Sequence, residues 1–468
     1  MARGGRAALP LAMLLLASLG RLGPRQASAW GRAPAQRARR AAVVRAWRLA
    51  AQAEELSTVS GGEVRAEILE ASPANVERAA RELREGKLVA FPTETVYGLG
   101  GAITDREALC GIFAAKKRPR SDPLIVHVTS VEAAVALYCT KTLDARAFEV
   151  VDALAAAFWP GPLTIISAAA TGVAPEITAG TGCVGVRSPR HPLARELIDA
   201  TGIPIAAPSA NRFGHVSPTA AEHVFADLFD SEITILRPEE QHAAEGAPIC
   251  EVGIESSVVK VHSDGSQVEI LRAGIIGYDD LAEAVAGLGV RVTRKAPTHS
   301  PEPETEPVAV DSAPADAGFE SPGQFLKHYA PDVPAVLLSF PPAAFSTSAA
   351  LEASLAQTLD LDLREAVILD IGGRLANLKA GAKAYRDIAQ SGLLTEAAQG
   401  LFEGLRWAEQ VDGAGIILLP DLAVTSPAPP AAGGSTEAAL EDALRDRLFR
   451  AVSGNTVSLG GGDGDGLR

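Results

Sequence analysis

The sequence predicts an α/β protein with two domains, and three observations lead to this fold class. From Val64 onward, apolar runs of strand length alternate with segments whose apolar residues recur at helical spacing. A stretch rich in proline and acids, 296–318, then interrupts the pattern, and beyond it the alternation resumes. Alternating strands and helices are typical of α/β folds, whereas the interrupting stretch cannot bury enough apolar surface to fold and therefore predicts a linker.

Capping residues and apolar spacing predict the individual elements. Ser72 can cap a helix that opens at Pro73 and stops at Gly86. Further helices are predicted over 105–117, 191–200, 219–229, 385–410 and 436–452. Strands are predicted over 88–91, 124–128, 163–167, 183–187, 203–207, 257–261, 269–273, 335–339, 366–371 and 415–420. These elements place the first domain at 64–290, the linker at 291–331, the second domain at 332–452 and a disordered tail at 453–468.

Composition limits the class of protein. The chain has 468 residues, of which 47% are hydrophobic and 21% are charged, so it can bury a core. Its cysteines, Cys110, Cys139, Cys183 and Cys250, lack the paired spacing of a zinc site and the density of a disulfide scaffold. The longest apolar run, 7–19, is shorter than the roughly 20 residues that span a bilayer. Stable membrane insertion is therefore not expected.

The first 48 residues differ from the remainder in charge. They contain ten arginines and no acid, so the net charge is −24 for the remaining chain and −14 for the whole. A basic start, a short apolar core and the small residues 27–29 predict a signal peptide, and the arginine-rich stretch 30–48 predicts a transit peptide. Residues 1–60 are therefore predicted to be a targeting leader to an organelle. A plastid is favoured, and a mitochondrial presequence and a disordered basic arm are the alternatives.

Two polar segments could bind phosphate, although the common phosphate loops G-x-x-x-x-G-K-[ST] and G-x-G-x-x-G are absent. Lys116, Lys117, Arg118 and Arg120 stand where a helix ends before a strand. They could clamp a polyphosphate, or they could pair with the helix C-terminus. In the segment 207–219, two serines and an asparagine flank a glycine and could bind phosphate, ribose or a hydrated metal ion. The second serine, at 217, could also cap the helix that follows.

Other polar residues adjoin apolar strands. His127 lies within one, where a core histidine is the default interpretation. Arg187 ends another and needs an anion, which could be a substrate carboxylate or an internal Asp or Glu. No Ser-His-Asp or Cys-His pairing presents itself, so nothing in the sequence demands a covalent nucleophile.

Seven ordered motifs resemble one enzyme family. They are FPTETVYGLG at 91–100, KKRPRSDPLIVHV at 116–128, FWPGPLT at 158–164, VGVRSPRHP at 184–192, APSAN at 207–211, SPT at 217–219 and IESSVV at 254–259. Together they resemble the YrdC-like threonylcarbamoyl-AMP synthases. SPGQFLKHYAP at 321–331 is similar to the connecting motif of the longer, two-domain members. The resemblance implies a twisted mixed-sheet catalytic domain followed by a smaller Rossmann-like α/β domain.

The resemblance implies a nucleotidyltransferase reaction that joins L-threonine, bicarbonate or carbon dioxide, and ATP into threonylcarbamoyl-adenylate and pyrophosphate. Mg²⁺ would accompany ATP. The product would pass to a transferase that modifies the adenosine beside the anticodon of tRNA, and a weak contact with tRNA or other double-stranded RNA is a further expectation.

Site residues follow from positions in the motifs. The catalytic centre would comprise Lys116, Arg118, Ser209 and Asn211. The ATP site would comprise Arg118, Asp122, Cys183, Ser209, Ser217 and Arg272, and the threonine site Thr95, His127, Arg187, Ser256 and Ser257, with Tyr329 as the lid residue. Asp122 stands where the family pattern has asparagine, and a carboxylate beside polyphosphate is repulsive unless it holds a metal ion. Cys183 stands where threonine is expected, and a thiol is a weaker hydrogen-bond donor.

Two other functions remain open. A carbamoyltransferase of hydrogenase maturation contains a YrdC-like domain that makes carbamoyl-adenylate, but it also has cysteine-rich zinc fingers, and this chain has no C-x-x-C. A non-catalytic module for double-stranded RNA is suggested by the KKRPR cations. The charge of −24 beyond residue 48 opposes tight tRNA binding.

Overall fold

The computed structural model describes residues 65–239, 242, 249–295, 318–340, 348–422 and 435–459. The predicted leader, residues 296–317 of the predicted linker and the tail from 460 lie outside the described residues. The predicted fold class is confirmed, because an eleven-stranded mixed sheet is followed by a five-stranded parallel sheet. In the described part of the chain, no helix has both the length and the apolar character needed to cross a bilayer.

The first domain consists of a mixed sheet with eight helices among the described residues. Its strands are β1 (Glu67–Glu70), β2 (Leu88–Phe91), β3 (Gly98–Ala102), β4 (Ile125–His127), β5 (Leu163–Ala168), β6 (Cys183–Arg187), β7 (Ile205–Ala206), β8 (Ile233–Arg237), β9 (Ser257–Val261), β10 (Gln267–Arg272) and β11 (Arg291–Arg294). Its helices are α1 (Pro73–Arg84), α2 (Arg106–Lys116), α3 (Val131–Val135), α4 (Ala145–Phe158), α5 (Pro175–Thr178), α6 (Pro192–Thr201), α7 (Ala221–Leu228) and α8 (Tyr278–Ala284). The strand order is β1-β8-β2-β3-β7-β4-β6-β5-β9-β10-β11.

Local sequence explains how this sheet is built. Ser72 caps α1 by accepting a hydrogen bond from the Asn75 amide at 3.4 Å, as its position before Pro73 predicts. In the middle of the sheet, a Cβ on Gly100 would lie 2.8 Å from Ile205 and 2.8 Å from Phe91. Glycine at this position therefore allows strands β2, β3 and β7 to approach closely.

The second domain is smaller and has a parallel sheet. Its strands are β12 (Ala335–Ser339), β13 (Ala366–Asp370), β14 (Ala384–Asp387), β15 (Ile416–Pro420) and β16 (Thr456–Ser458), in the order β14-β13-β15-β12-β16. Its helices are α9 (Ser348–Leu359), α10 (Leu394–Glu409) and α11 (Ser435–Ala451), with 3₁₀ turns at Leu363–Glu365 and Ala376–Leu378. Every strand pair in this sheet is parallel.

Three predicted segments begin with a different kind of structure from the one predicted. The predicted helix over 385–410 begins instead with strand β14, whose residues are all half-buried and show no alternation to signal a strand. The predicted disordered tail begins with strand β16, which pairs with β12. Residues 291–294, predicted as the start of the linker, form edge strand β11 and pair with β10. In the last two cases backbone pairing in the sheet orders a short segment that has little apolar character of its own.

One hydrophobic cluster joins the two domains. It contains Val96 and Ile254 from the first domain and Phe402 and Leu444 from helices of the second. Tyr329, from the segment between the domains, is buried in the same cluster. Because the cluster is continuous, helices α10 and α11 of the second domain lie against the loops of the first domain that carry the predicted site residues.

Candidate active site

A cleft in the first domain brings many of the predicted residues together. It contains about 550 Å³ of empty space, which includes space open to solvent. The predicted residues that line it are Thr95, Arg118, His127, Arg187, Ser209, Ser256 and Arg272. Lys116, Asn211, Asp122, Ser217, Ser257 and Tyr329 are not among its lining residues and lie behind them, as described below. The lining therefore mixes cations with neutral hydrogen-bonding groups, a combination suited to an anionic ligand.

Lys116 holds the loop that carries Ser209 and Asn211. Its ammonium group donates to the backbone oxygens of both residues, each at 2.5 Å, and the side chain is 1% exposed. Ser209 Oγ in turn donates to Asn211 Oδ1 at 2.6 Å. Burial, together with the nearby charge of Arg118, lowers the pKa of Lys116 well below its ordinary value. Lys116 thus fixes the shape of the loop, and Ser209 is the member of the group that lines the cleft.

Arg118 is the one cation of the KKRPR segment that lines the cleft among the described residues. Its guanidinium donates to the backbone oxygen of Pro123 at 2.7 Å and pairs with Asp122 Oδ2 at 3.0 Å. Lys117 and Arg120 are exposed. Asp122 is fully buried behind Arg118, and burial raises the pKa of its carboxyl. The carboxylate orients Arg118 in this structure, and contact between Asp122 and ATP stays a prediction.

Arg187 meets an internal carboxylate. Its Nη2 lies 2.7 Å from Glu94 Oε1, and its Nη1 donates to Thr95 Oγ1 at 2.9 Å. Burial raises the pKa of the Glu94 carboxyl, but the charge and hydrogen bonds of Arg187 more than offset this, and the pKa is lowered. Both side chains of the ion pair are buried. The orientation of Arg187 in the cleft is thus fixed before any ligand binds.

His127 presents an unpaired polar atom beside the cleft. The side chain is buried, its ring packs edge-on against Phe91 at 6.2 Å, and Nδ1 has no hydrogen-bond partner among the described residues. Burial, with the charge of Arg187, lowers the pKa of His127 to about 3, so the imidazole is neutral. Buried polar atoms are usually paired. The unpaired nitrogen therefore supports contact with a ligand, although the burial matches the default interpretation of a core histidine.

The two adjacent serines at the start of β9 have different environments. Ser256 Oγ lies 2.8 Å from Thr164 Oγ1 and accepts from Arg272 Nη2 at 3.1 Å. Ser257 Oγ donates to the Ile276 backbone oxygen at 2.8 Å and accepts from the Ile276 amide at 3.1 Å. Ser256 therefore lines the cleft and Ser257 ties the strand to the following loop. Ser257 is not among the lining residues, and its threonine contact stays a prediction.

Two further predicted ATP residues lie outside the lining. Ser217 is fully buried and donates to Glu255 Oε1 at 2.5 Å. It does not cap α7, whose N-cap residue is Ala220, so the capping alternative is wrong, whereas its ATP contact stays a prediction. Cys183 is half-buried at the start of β6, where burial raises the pKa of its thiol. It is not among the lining residues, and its predicted ATP contact is not supported.

The segment between the domains covers the cleft with residues other than Tyr329. Pro322, Gly323 and His328 line the cleft. Tyr329 is fully buried, with its ring centroid 5.4 Å from that of Phe402, and burial raises its pKa to about 12. The lid role of the segment stays a prediction, and the tyrosine itself packs against Phe402 of the second domain.

Sequence reasoning missed several polar residues of the site, among them two acids and a histidine. Glu94, Glu255 and His328 were not predicted as site residues, yet Glu94 holds Arg187 and the other two line the cleft. All three lie inside the motifs that indicated the family. Their membership in those motifs is the signal that could have identified them.

Comparison with known proteins decides the family. Residues 81–274 match a family model for Sua5, YciO and YrdC proteins that is described as "telomere recombination", and residues 277–453 match one described as "threonylcarbamoyl-AMP synthase, C-terminal domain". The threonylcarbamoyl-AMP synthase of Bacillus subtilis is 38% identical over 269 residues, which are 57% of this chain and 67% of that protein. The chain belongs to the threonylcarbamoyl-AMP synthase family.

Other relatives and a solved structure agree. The threonylcarbamoyl-AMP synthase of Pyrococcus abyssi is 36% identical over 263 residues, 56% of this chain and 67% of that protein. The crystal structure of P. abyssi Sua5 complexed with L-threonine has a TM-score of 0.63 and 29% identity, and the match covers 84% of this chain and 98% of that chain. This chain is therefore similar to that threonylcarbamoyl-AMP synthase in both domains.

Proposed function

We propose that this chain is the enzyme that forms L-threonylcarbamoyl-adenylate and pyrophosphate from L-threonine, bicarbonate or carbon dioxide, and ATP. The observation that carries the proposal is the cleft, in which Arg118, Arg272 and Ser209 converge with His127 and Arg187. The family match over both domains and the threonine-bound structure of the P. abyssi protein support the same activity.

The chemistry needs no enzyme nucleophile. The amine of threonine adds to carbon dioxide and loses a proton, which gives a carbamate. A carbamate oxygen then attacks the α-phosphorus of ATP, the bond from that phosphorus to the bridging oxygen breaks, and pyrophosphate leaves with the electron pair. Charge at the phosphates builds up in this step, so buried cations aimed at the cleft are the groups that accelerate it.

We assign the phosphate side of the cleft to Arg118, Arg272 and Ser209. Arg118 and Arg272 are held in place by backbone and serine oxygens, so their charges are oriented before ATP binds. Lys116 contributes indirectly, because it holds the loop that carries Ser209. These groups neutralise charge and position the polyphosphate.

We assign the threonine side to Thr95, His127, Arg187 and Ser256. A guanidinium suits the carboxylate of an amino acid, and the fixed pair with Glu94 gives Arg187 one orientation in the cleft. The unpaired His127 nitrogen is free to bind a polar group of the substrate.

Mg²⁺ would enter the cleft with ATP. Glu255 is the one carboxylate among the described lining residues, and it is already paired with Ser217 and with Arg447. The lining therefore suits an ion carried by phosphate oxygens better than one held by protein carboxylates. The ion would supply charge neutralisation at the phosphates.

We also propose that the product serves tRNA modification through a separate transferase, and that residues 1–60 direct the chain to an organelle, with a plastid favoured. Fusion of residues 1–60 to a fluorescent protein tests the address. Fluorescence in plastids is the expected result. Fluorescence in mitochondria would indicate a mitochondrial leader instead, and a diffuse signal would contradict the proposal that residues 1–60 are a targeting leader.

The activity is tested by product identification. The chain from Gly61 onward is incubated with ATP, Mg²⁺, L-threonine and ¹³C-bicarbonate, and the adenylate is detected by mass spectrometry. An adenylate that contains both the threonine mass and the heavy carbon is expected. A labelled carbamoyl-adenylate without threonine would favour the hydrogenase-maturation type of chemistry, and ATP binding without any adenylate would contradict the proposal.

A further inference from the structure

A buried arginine of the second domain reaches the cleft of the first. Arg447 lies in helix α11 and is fully buried. Its Nε is 3.3 Å from Glu255 Oε2, and its Nη1 donates to the backbone oxygen of Ala273 at 2.6 Å. Its guanidinium carbon lies 5.7 Å from the centre of the Tyr329 ring.

Each of these three partners either lines the cleft or is adjacent in sequence to a residue that lines it. Glu255 lines it, and its second oxygen accepts the hydrogen bond from Ser217. Ala273 follows Arg272, which also lines it. Tyr329 follows His328, one of the lining residues of the lid segment. One guanidinium therefore contacts the start of β9, the end of β10 and the lid.

The charge of Arg447 matters as much as its contacts. Glu255 is the one carboxylate in the described lining, and a buried carboxylate without a partner would repel a polyphosphate at short range. A buried ion pair that loses one member leaves an uncompensated charge, which costs more than removal of both members. Arg447 compensates Glu255 from outside the first domain.

A second buried arginine of the same domain shows the contrast. Arg406 in helix α10 pairs with Asp227 at 3.1 Å and donates to the Val216 backbone oxygen. Neither of those partners lines the cleft. Of these two buried arginines, Arg447 is the one whose carboxylate partner, Glu255, lines the cleft.

We propose that Arg447 is a positioning residue for the nucleotide: it neutralises Glu255, holds Glu255 on Ser217 and fixes the segment of Arg272. Through this residue the second domain completes the ATP site. The inference rests on the proposed function for its kinetic readout, but nucleotide binding tests it independently.

The experiment compares four forms of the full chain: the wild type, Arg447→Met, Glu255→Gln/Arg447→Met and the matched control Arg294→Met. Arg294 also pairs with helix α11, through Asp442, but both partners are substantially exposed. Calorimetry gives the Kd of the non-cleavable analogue α,β-methylene-ATP with Mg²⁺. Threonine-dependent pyrophosphate release gives kcat and the KM for ATP.

Arg447→Met is expected to raise the Kd of the analogue and the KM for ATP by about tenfold or more, with kcat within about threefold. The double variant is expected to return the Kd to within about threefold of the wild type, because it removes the uncompensated charge as well. Arg294→Met is expected to change neither quantity by more than about twofold. If Arg447→Met does not fold, Arg447→Lys replaces it, with an expected two- to fivefold increase in Kd.

Equal effects of Arg447→Met and Arg294→Met, or no recovery in the double variant, would overturn the inference. An unchanged Kd with only a lower Tm would also overturn it, because a merely structural role predicts that result. Absence of pyrophosphate release by the wild type, with the Kd pattern intact, would instead overturn the proposed function alone.

Discussion

The two sheets differ in whether a buried polar side chain at the end of a strand has protein partners. In the second domain, Asp370 at the end of β13 is fully buried, and its oxygens accept from the amides of Ile371 and Leu375 at 2.7 and 2.9 Å and from Tyr385 Oη at 2.8 Å. In the first domain, His127 at the end of β4 is buried with an unpaired nitrogen. The carboxyl ends of parallel strands commonly form ligand sites. Here the second domain uses its polar group for its own loop, whereas the first domain leaves one for a ligand.

The comparison shows that the type and strand position of a residue do not distinguish a site from a structural network. Both Asp370 and His127 follow apolar strand residues and would be equal candidates by sequence. The difference lies in partners from elsewhere in the chain, since Tyr385 satisfies Asp370 from strand β14. Substitutions of His127 and of Asp370 should therefore separate into an effect on activity and an effect on stability.

The largest effect is expected for Arg187→Met, which leaves Glu94 buried without its partner. The free energy of unfolding should fall by about 3–5 kcal/mol, and threonine-dependent activity should be lost. Urea unfolding followed by circular dichroism measures the first. The control is Arg190→Met, since Arg190 pairs with Glu251 at the surface and should contribute less than about 1 kcal/mol. Equal losses in both variants would contradict the account of the buried pair.

Lys116→Met should reduce kcat/KM for ATP by about 10²–10³-fold, because the backbone oxygens of Ser209 and Asn211 lose their shared donor. Pyrophosphate release under subsaturating ATP measures this quantity. Lys117→Met is the matched control, because Lys117 is the adjacent, exposed lysine and should stay within twofold of the wild type. Comparable losses at both positions would indicate that the two positive charges act together, and would contradict the specific role of Lys116 in holding the loop of Ser209 and Asn211.

Two buried histidines should make the free energy of unfolding depend on pH in opposite directions. Burial lowers the pKa of His215, but the carboxylates of Asp227 and Glu409 more than offset this and raise it to about 9. The folded chain holds that proton more tightly than the unfolded chain, so the stabilisation is complete below about pH 6.5 and is lost as pH rises towards 9. His127, whose pKa is lowered to about 3, gives stabilisation that is complete above about pH 6.5 and is lost as pH falls towards 3.

Variants isolate the two contributions. The difference in unfolding free energy between the wild type and His215→Gln should shrink by on the order of 2 kcal/mol between pH 7 and 9. The difference between the wild type and His127→Gln should shrink on acidification instead, between pH 6.5 and 4.5. Parallel curves for both variants would show that neither histidine has the environment described for it.

Asp370→Ala should lower the free energy of unfolding by about 1–3 kcal/mol, because Tyr385 and two buried amides lose their acceptor. It should leave kcat/KM per folded molecule within twofold of the wild type. Enzyme assays at a temperature well below the midpoint of unfolding make this comparison. A selective loss of activity would indicate that the polar end of β13 also serves the reaction.

The smallest effect is expected at the lid. Glu320 pairs with Lys260 and with Lys295, the latter at 3.1 Å, and all three side chains are partly exposed. Glu320→Gln should therefore cost less than about 1 kcal/mol and raise the KM for threonine by less than threefold. The KM of the wild type should rise towards that of the variant as salt increases. A variant that is as salt-sensitive as the wild type would show that the two ion pairs of Glu320 do not support the lid segment.

Much of the fold could be predicted from local sequence. Ser72-Pro73 places a helix start correctly, and the apolar runs at 88–91 and 183–187 are strands with those bounds. Strand β14 could not be predicted, because its residues are half-buried and neither alternate nor form an apolar run. A short edge strand owes its order to its neighbour rather than to its own composition.

Within the site, the residues that belong to it were easier to predict from the sequence than the direction in which each side chain points. The motifs identified Lys116, Asp122 and Ser217, but in the structure each contacts a lining residue instead of lining the cleft itself. Those partners lie 93, 4 and 38 positions away in the chain. Spacing within a motif does not show where each side chain points, and the packing of the first domain decides these contacts.

The most direct test of the central claim, that the cleft of the first domain is the catalytic centre, is pyrophosphate release by the wild type and Ser209→Ala. With ATP and Mg²⁺ present, wild-type release should require both threonine and bicarbonate. It should fall by about 10²-fold or more in the variant, while the far-ultraviolet circular dichroism stays unchanged. Release that persists in Ser209→Ala, or that proceeds in the wild type without threonine, would contradict the claim.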